Sequence, residues 1–343
     1  MAATWNIGLD LGGCGIRIAL RREGVIYDES AVAAFRRGKK EAVALGNAGR
    51  ELRGREPIGV RTGVMLEGGR VAREELLEMW MSYLMQHCRE EGSGRTSVLL
   101  VGGPNAREAD LQAVRAACLK CGGSEMGVLE AEFAAALGAW FPKDSGTEAG
   151  AQADAMDDAA HIVVDIGGYS MFAALIVGGH IVNRESRPFG MQSAVEALRM
   201  ALRREYAFAV GINGAEDILA KAAETALHIE ADGLDIEKEM PVTRRIRPEV
   251  VRRCVHPIAE EAAAMAGTML LHLPDSIAAD IMKYGIMLTG GGAQSPLIKE
   301  AVEKACGIAC RVSDRPSQAS IRGVMRVMNA PQRFGELVLE GTE

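Results

Sequence analysis

Residues 6–16 have the sequence Asn-Ile-Gly-Leu-Asp-Leu-Gly-Gly-Cys-Gly-Ile, a short apolar segment that runs into an aspartate and a cluster of glycines. Residues 164–168, Val-Asp-Ile-Gly-Gly, repeat this pattern in the second half of the chain. The same alignment places Gly24 on Gly179. Two copies of a strand, an Asp-apolar-Gly-Gly turn, a second strand and a glycine turn do not arise easily by chance. The pattern therefore predicts a duplicated α/β domain.

The two Gly-Gly turns suit an anion. Glycine has no Cβ to block a tight turn or a close ligand, so backbone N–H groups can point into one concavity. If the halves face each other, the two turns would hold a polyphosphate from opposite sides. Asp10 and Asp165, at the strand ends, would then hold the hydration shell of Mg²⁺. The alternative is a pair of ordinary hairpin turns whose aspartates bond to local backbone.

A third glycine cluster follows an apolar segment near the end of the chain. Residues 288–293 are Leu-Thr-Gly-Gly-Gly-Ala, and a helix is expected soon after them. A flat glycine surface can pack against a purine or ribose and can present N–H groups to a phosphate. Alone, this cluster would fit a flexible strand-to-helix turn better. Together with the two Gly-Gly turns it favours a nucleotide site.

Composition and charge limit the class of protein. The chain has 343 residues, of which 48% are hydrophobic and 25% charged, enough for about two ordinary domains. Its net charge of −7 offers no basic excess for nucleic acid. The apolar stretches are too short to cross a bilayer. Seven cysteines, an odd number, suit a reducing compartment, so we expect a cytoplasmic protein with free thiols rather than a disulfide scaffold or a zinc site.

Alternating strand-like and helix-like segments support the α/β prediction. The spacing of apolar residues predicts a helix over residues 74–87 that buries Leu76, Leu77, Trp80, Tyr83 and Leu84. Asn105 is expected to cap a helix that ends near residue 121. We also expect residues 185–253 to be mostly helical, a long helix over residues 257–273 and a last helix over residues 294–305. The acidic segment 142–160 predicts a linker between a first domain, residues 1–150, and a second, residues 151–343.

The order of these motifs resembles the actin-like ATPases, and most closely the bacterial actin MreB family. The resemblance covers nearly the whole chain and includes residues 25–33, 44–55 and 278–282. It implies duplicated actin-like, ribonuclease H-like α/β domains around a nucleotide cleft. Inserted subdomains are expected at about residues 31–72 and 190–250, and the segment from about residue 318 is expected to pack back on the first domain.

The resemblance also implies the site residues. Nucleotide contacts are expected from Asp10, Gly12, Gly13, Cys14, Gly15, Ile16, Asp165, Gly167, Gly168, Tyr169, Ser170, Glu216, Leu219, Gly290, Gly291, Gly292 and Ala293. Asp10 and Asp165 are also the expected Mg²⁺ residues, and the expected cofactor is ATP or ADP.

The chain departs from the family pattern in both phosphate loops. In the family the first aspartate is followed by Leu-Gly-Thr-Ala-Asn-Thr, whereas residues 13–16 here are Gly-Cys-Gly-Ile, without the hydroxyl and amide side chains. In the second loop Tyr169 puts bulk where phosphate would approach, while Ser170 keeps one hydroxyl. At the adenosine side Glu216 is in place, but Leu219 occupies a lysine position. Nucleotide binding is therefore expected to rely mainly on backbone amides.

The position that orients the attacking water is also changed. The family's second glutamate in Glu-Glu-Pro-Met-Ala-Ala-Ala aligns with Ala131. Glu130 and Glu132 are the candidate catalytic residues, although each would point about 100° aside on a helix. A helix start with favourable negative charge explains both glutamates equally well. We therefore expect slow or absent hydrolysis.

The resemblance implies a cytoplasmic actin-like cytoskeletal protein that binds ATP and polymerises for cell shape or intracellular positioning. One alternative is a scaffold of the same fold that does not turn nucleotide over, and another is a small-molecule kinase of the same superfamily. The expected partners are further copies of the chain and adaptor proteins. Direct membrane binding is not expected, because only six residues precede the first strand and residues 89–96 offer no apolar insertion.

Overall fold

The computed structural model describes residues 5–39, 41–90, 96–140, 159–224 and 228–340. Almost all of the predicted linker, residues 142–160, lies outside the described residues. No helix in the described ranges is both long enough and apolar enough to span a membrane.

The first half of the chain contains ten strands and four helices within the described residues. The strands are β1 (Ile7–Leu11), β2 (Gly15–Leu20), β3 (Gly24–Ser30), β4 (Val32–Phe35), β5 (Ala42–Leu45), β6 (Arg61–Val64), β7 (Leu66–Glu67), β8 (Arg70–Val71), β9 (Ser97–Gly102) and β10 (Glu125–Glu130). The helices are α1 (Gly46–Leu52), α2 (Glu74–Glu90), α3 (Glu108–Lys120) and α4 (Ala131–Ala139).

The second half contains nine strands and seven helices within the described residues. The strands are β11 (Ala160–Ile166), β12 (Met171–Val177), β13 (His180–Arg187), β14 (Phe208–Ala209), β15 (Ile229–Asp235), β16 (Met240–Ile246), β17 (Ile286–Thr289), β18 (Cys310–Val312) and β19 (Val338–Glu340). The helices are α5 (Met191–Tyr206), α6 (Ile212–Glu224), α7 (Pro248–Met269), α8 (Asp275–Tyr284), α9 (Pro296–Cys306), α10 (Ala319–Asn329) and α11 (Pro331–Phe334).

Two large sheets repeat one topology. The first has the strand order β19-β10-β9-β1-β2-β3 and the second the order β13-β12-β11-β17-β18. In both, an antiparallel meander of three strands is extended by parallel strands from later in its half. Gly24 and Gly179, with φ of +90° and +74°, make the second turn of each meander. The sequence repeat is therefore a structural repeat, and the predicted α/β fold is confirmed.

The chain returns to the first sheet at its C-terminal end. β19 pairs antiparallel with β10, and α10 packs against both α4 and β1. Gly8 of β1 leaves room for this helix, because a Cβ there would lie 2.7 Å from Val324. The segment after β18 thus packs against the first half of the chain.

Two smaller three-stranded sheets accompany the large ones. One has the order β5-β4-β6 and carries α1, and the other has the order β14-β15-β16 and adjoins α5 and α6. The second sheet corrects the expectation that residues 185–253 are mostly helical. The hairpin β15-β16 exposes most of its charged side chains at alternating positions. A charged, solvent-exposed helix has a similar proportion of charged residues, so composition does not distinguish the two.

Three helix predictions need correction. Tyr83 is 39% exposed, because the buried face of α2 centres on Trp80 and Leu84, and the Tyr83 ring lies at its flank against Tyr27 and His87. The long helix α7 starts at Pro248 and continues through Pro257. Burial of its apolar face offsets the ~3 kcal/mol that an internal proline costs. Helix α9 is not the last helix, since α10 and α11 follow it.

Candidate functional site

A cavity of about 620 Å³ opens between the two large sheets. The turns after β1 and β11, the glycines after β17, and helices α5 and α6 line it. All the predicted nucleotide-contact residues lie on its wall except Ile16 and Ala293. Residues that are far apart in sequence therefore meet at one site.

Ile16 and Ala293 were predicted to contact the nucleotide, but neither lines the cavity. Ile16 is completely buried in the apolar core of the first half, because successive strand residues point to opposite faces of the sheet. Its neighbour Arg17 lies on the cleft face instead. Ala293 is buried inside the short 3₁₀ turn after β17 and does not reach the cavity.

The two Gly-Gly turns have the same geometry. The Gly12 N–H donates to the Gly15 carbonyl oxygen at 3.0 Å, and the Gly167 N–H donates to the Ser170 carbonyl oxygen at 2.9 Å. A Cβ at Gly12 or Gly167 would lie 2.8 Å or 2.7 Å from the same oxygen. Only glycine fits these turns without a shift of the backbone.

The two turns also contact each other. A Cβ at Gly13 would lie 2.6 Å from the Tyr169 ring, and a Cβ at Gly168 would lie 2.1 Å from the Cys14 sulfur. Tyr169 therefore packs over the first turn. Side chains fill part of the space between the turns.

The three glycines after β17 differ in role. The Gly290 N–H donates to the Pro316 carbonyl oxygen at 2.9 Å, and its φ of +78° is in the left-handed region. Gly292 packs against Ile166, from which a Cβ would be separated by 2.4 Å. A Cβ at Gly291 would meet open space, so this residue presents a flat surface to the cavity.

Two partly buried aspartates, Asp10 and Asp165, line the cavity. Asp10 Oδ2 accepts a hydrogen bond from Arg17 Nη1 at 3.2 Å, and Asp165 Oδ2 accepts one from Thr289 Oγ1 at 2.8 Å. Burial raises the pKa of both carboxyls, that of Asp165 to about 6, and the Arg17 guanidinium opposes the rise at Asp10. The carboxylates are thus close enough to repel each other.

Asp10 and Asp165 are predicted to hold the hydration shell of Mg²⁺, and this stays a prediction. Within the described residues no group of three or more His, Cys, Asp or Glu side chains is placed to hold a metal ion. One Asp10 oxygen already pairs with a guanidinium. Mg²⁺ prefers several oxygen ligands in octahedral geometry. Asp10 and Asp165 alone do not supply the inner coordination shell of a directly bound Mg²⁺.

Neither candidate catalytic glutamate lies on the cavity wall. Ala131, the first residue of α4, occupies that position. Glu130 pairs with Arg184 Nη1 at 2.6 Å and lines a second cavity on the opposite side. Glu132 is 3% exposed, burial raises its pKa, and its nearest cation is Arg184 at 3.9 Å. The prediction that either reaches the cleft is corrected, because the turn from β10 into α4 directs only Ala131 toward it.

A polar cluster joins the two halves at the top of the cavity. Glu216 of α6 accepts hydrogen bonds from Arg53 Nη2 at 2.6 Å and from Gln192 Nε2 at 3.0 Å. Arg50 of α1 contacts Glu216 at 3.1 Å and Asp217 at 2.9 Å. Glu216 is therefore on the wall as predicted, but it is held by arginines from the other half. Leu219, one turn further along α6, adds an apolar patch to the wall.

A second bridge between the halves involves Asn105. Its Oδ1 accepts a hydrogen bond from Ser186 Oγ at 2.8 Å, and its Nδ2 donates to the Arg187 carbonyl oxygen at 3.3 Å. It does not cap α3 as expected, since that helix begins at Glu108 and Asp110 accepts the Arg107 N–H at 3.1 Å. The side chain that bonds to the backbone at the start of α3 is therefore that of Asp110, not that of Asn105.

Sequence reasoning missed the cleft residues Arg17, Arg50, Arg53 and Gln192. For Arg17 a signal existed: it lies two residues after Gly15 in a strand and so shares the face of the first turn. Arg50 and Gln192 lie on helices and Arg53 directly follows α1, and their sequence positions carry no information about which half they contact.

A family model described as "MreB/Mbl protein" matches residues 4–336. Among similar proteins, the "Cell shape-determining protein Mbl" of Bacillus subtilis (strain 168) is 26% identical over 318 residues, 91% of this chain and 92% of that protein. The "Cell shape-determining protein MreB" of Escherichia coli (strain K12) is 24% identical over 330 residues, 93% of this chain and 91% of that protein.

Two solved structures have the same fold. MreB5 of Spiroplasma citri bound to ADP has a TM-score of 0.83 at 23% identity and covers 96% of this chain and 98% of its own. The MamK double helical filament has a TM-score of 0.72 at 15% identity and covers 94% of this chain and 97% of its own.

Proposed function

The chain belongs to the MreB/Mbl family, and we propose that it binds ATP or ADP between its two halves and assembles into filaments of a cytoskeleton. Its role would be in cell shape, as the names of its relatives state for them, or in intracellular positioning. We expect it in the cytoplasm, where its seven free cysteines stay reduced. Contact with adaptor proteins, and no direct contact with membranes, remain predictions.

One observation carries the nucleotide proposal: two identical glycine turns and a flat glycine surface face a single cavity. Backbone N–H groups of glycine turns are suited to phosphate oxygens, and the open face of Gly291 suits a ribose or purine ring. The related MreB5 structures were obtained with ADP and with AMPPNP. These facts support a nucleotide ligand for this cleft.

Calorimetry with ATP and ADP tests this proposal. The parent protein is expected to bind both nucleotides. Gly291→Val, which adds a side chain into the cavity, is expected to weaken binding at least about 10-fold, the cost of losing ~1.4 kcal/mol of contacts. Gly335→Val is the matched control, because that glycine is exposed and has no neighbour within 4 Å of a new Cβ. No binding of millimolar ATP by the parent protein would refute the proposal.

A scaffold that does not turn nucleotide over is the second candidate. Ala131 takes the wall position of the water-orienting carboxylate, and Glu130 is engaged by Arg184 on the other side. Tyr169 also fills space over the first turn. Loss of a water-positioning group lowers the rate of phosphoryl transfer by orders of magnitude. Family membership removes the small-molecule kinase from consideration.

Light scattering and electron microscopy of the purified protein, with ATP, with ADP and without nucleotide, test assembly. Filaments in all nucleotide conditions would support the scaffold, and filaments that require ATP and disassemble after phosphate release would support a turnover cycle. Monomers at every salt and protein concentration would contradict assembly itself.

A further inference from the structure

Arg17 of β2 is a cation fixed inside the cleft. Its side chain is only 15% exposed. Nη1 donates to Asp10 Oδ2 at 3.2 Å, and Nε lies 2.9 Å from Asp28 Oδ1 on β3. Asp28 is itself held, since its Oδ2 accepts a hydrogen bond from Gln318 Nε2 at 2.7 Å. Asp10 therefore holds the guanidinium by a hydrogen bond, whereas Asp28 lies beside Nε as an ion pair without one.

The remaining edge of the guanidinium faces the first glycine turn. A methyl group placed at Gly15 would lie 3.1 Å from Arg17 Nη2. A guanidinium carries five N–H groups, and contacts with Asp10 and Asp28 involve only Nη1 and Nε. Nη2 thus lies beside the first glycine turn, and both Arg17 and Gly15 line the cavity.

This arrangement competes with a divalent cation. A hydrated Mg²⁺ at the base of the cavity would be attracted by Asp10 and Asp165. Arg17 pairs with Asp10 inside the same pocket, so this carboxylate is already engaged, and a guanidinium repels a second cation at short range. A guanidinium already supplies positive charge and directional N–H donors to phosphate.

We propose that Arg17 takes the place of the divalent cation in this cleft, so that the nucleotide phosphates are bound by a guanidinium held by Asp10 and Asp28. This inference rests on the proposed nucleotide function, and it identifies the Arg17 guanidinium as the positive charge that binds the phosphates. Nucleotide binding then has little dependence on Mg²⁺.

The parent protein alone tests the inference. ATP and ADP affinities are measured by calorimetry in excess Mg²⁺ and in EDTA without divalent cations. The expected affinities in the two buffers differ by less than about 3-fold. A loss of 30-fold or more in EDTA would overturn the inference and leave the nucleotide function intact. No binding in either buffer would refute the nucleotide function, and this inference with it.

Two variants test whether Arg17 is the residue that binds the phosphates. Arg17→Gln is expected to bind at least 10-fold more weakly in EDTA and to recover most of its affinity in Mg²⁺, because Asp10 then becomes free to attract the cation. Arg17→Lys, which keeps the charge, is expected to retain part of the binding in EDTA. Arg244→Gln is the matched control, since Arg244 also pairs with a buried aspartate, Asp235 at 2.7 Å, but does not line the cleft.

Circular dichroism melts establish that each variant is folded before its affinity is compared. An Arg17→Gln variant that is folded and has the parent's affinity in EDTA would overturn the inference. If Arg17→Gln is too unstable to measure, the comparison of parent protein in Mg²⁺ and EDTA still decides it.

Discussion

Helices α4 and α10 cross with their backbones in contact, and glycine makes this possible. A Cβ at Gly323 would lie 1.9 Å from the Ala134 carbonyl oxygen, and a Cβ at Gly138 would lie 1.7 Å from the Ala319 carbonyl oxygen. Both neighbours are backbone atoms, so no side-chain rotation can relieve the clash. Gly323→Ala therefore tests how tightly this helix pair joins the C-terminal segment to the first half.

The size of the effect follows from the geometry. A carbon atom approaches a carbonyl oxygen to about 3.3 Å, so the helices must separate by roughly 1.4 Å. Overpacking in a close-packed interior costs about 1–3 kcal/mol, and more where the backbone must move. The better helix propensity of alanine returns up to ~1 kcal/mol. We expect Gly323→Ala to lower the free energy of unfolding by about 2 kcal/mol or more.

Urea unfolding followed by circular dichroism measures this loss. Gly267→Ala is the matched control, because Gly267 lies in α7 with no atom within 4 Å of a new Cβ. The control should be unchanged or up to ~1 kcal/mol more stable. If Gly323→Ala is as stable as Gly267→Ala, the two helices do not pack as closely as described and the reasoning fails.

Three further predictions concern the cleft. Burial raises the pKa of Asp165 to about 6, so the folded state binds this proton more tightly than the unfolded chain. Asp165→Asn should therefore raise the melting temperature at pH 7.5, and this gain should shrink as the pH falls from about 6 towards the ordinary pKa of 3.8. A gain in melting temperature that does not depend on pH would argue against this reasoning. Glu216→Gln removes the charge shared by Arg50 and Arg53, and it should speed dissociation of a fluorescent nucleotide about 10-fold in stopped-flow measurements. Asp217→Asn loses one exposed contact and should change the dissociation rate little. Ala131→Glu should raise phosphate release in a colorimetric assay, because it restores a carboxylate on the cleft wall; no increase would favour the scaffold.

Local residues were sufficient to predict the repeated framework of the molecule. The turn at Gly12 closes through a hydrogen bond to Gly15, and the turn at Gly167 closes through one to Ser170, so each depends on only four consecutive residues. The apolar strands on either side of such a short turn pair with each other in antiparallel orientation. For that reason the two meanders, the duplicated α/β fold and the glycine turns of the cavity wall follow from the pattern of residues.

The partners of charged and polar side chains were decided only by the tertiary structure. A one-residue difference on a strand separates Ile16, in the core, from Arg17, in the cleft. The pairing of Arg53 with Glu216 depends on how close the two halves lie. A charged side chain can pair with any opposite charge that the fold brings within reach, and sequence spacing carries no record of which one that is. The direction of Glu130, away from the cleft, was set in the same way by the turn into α4.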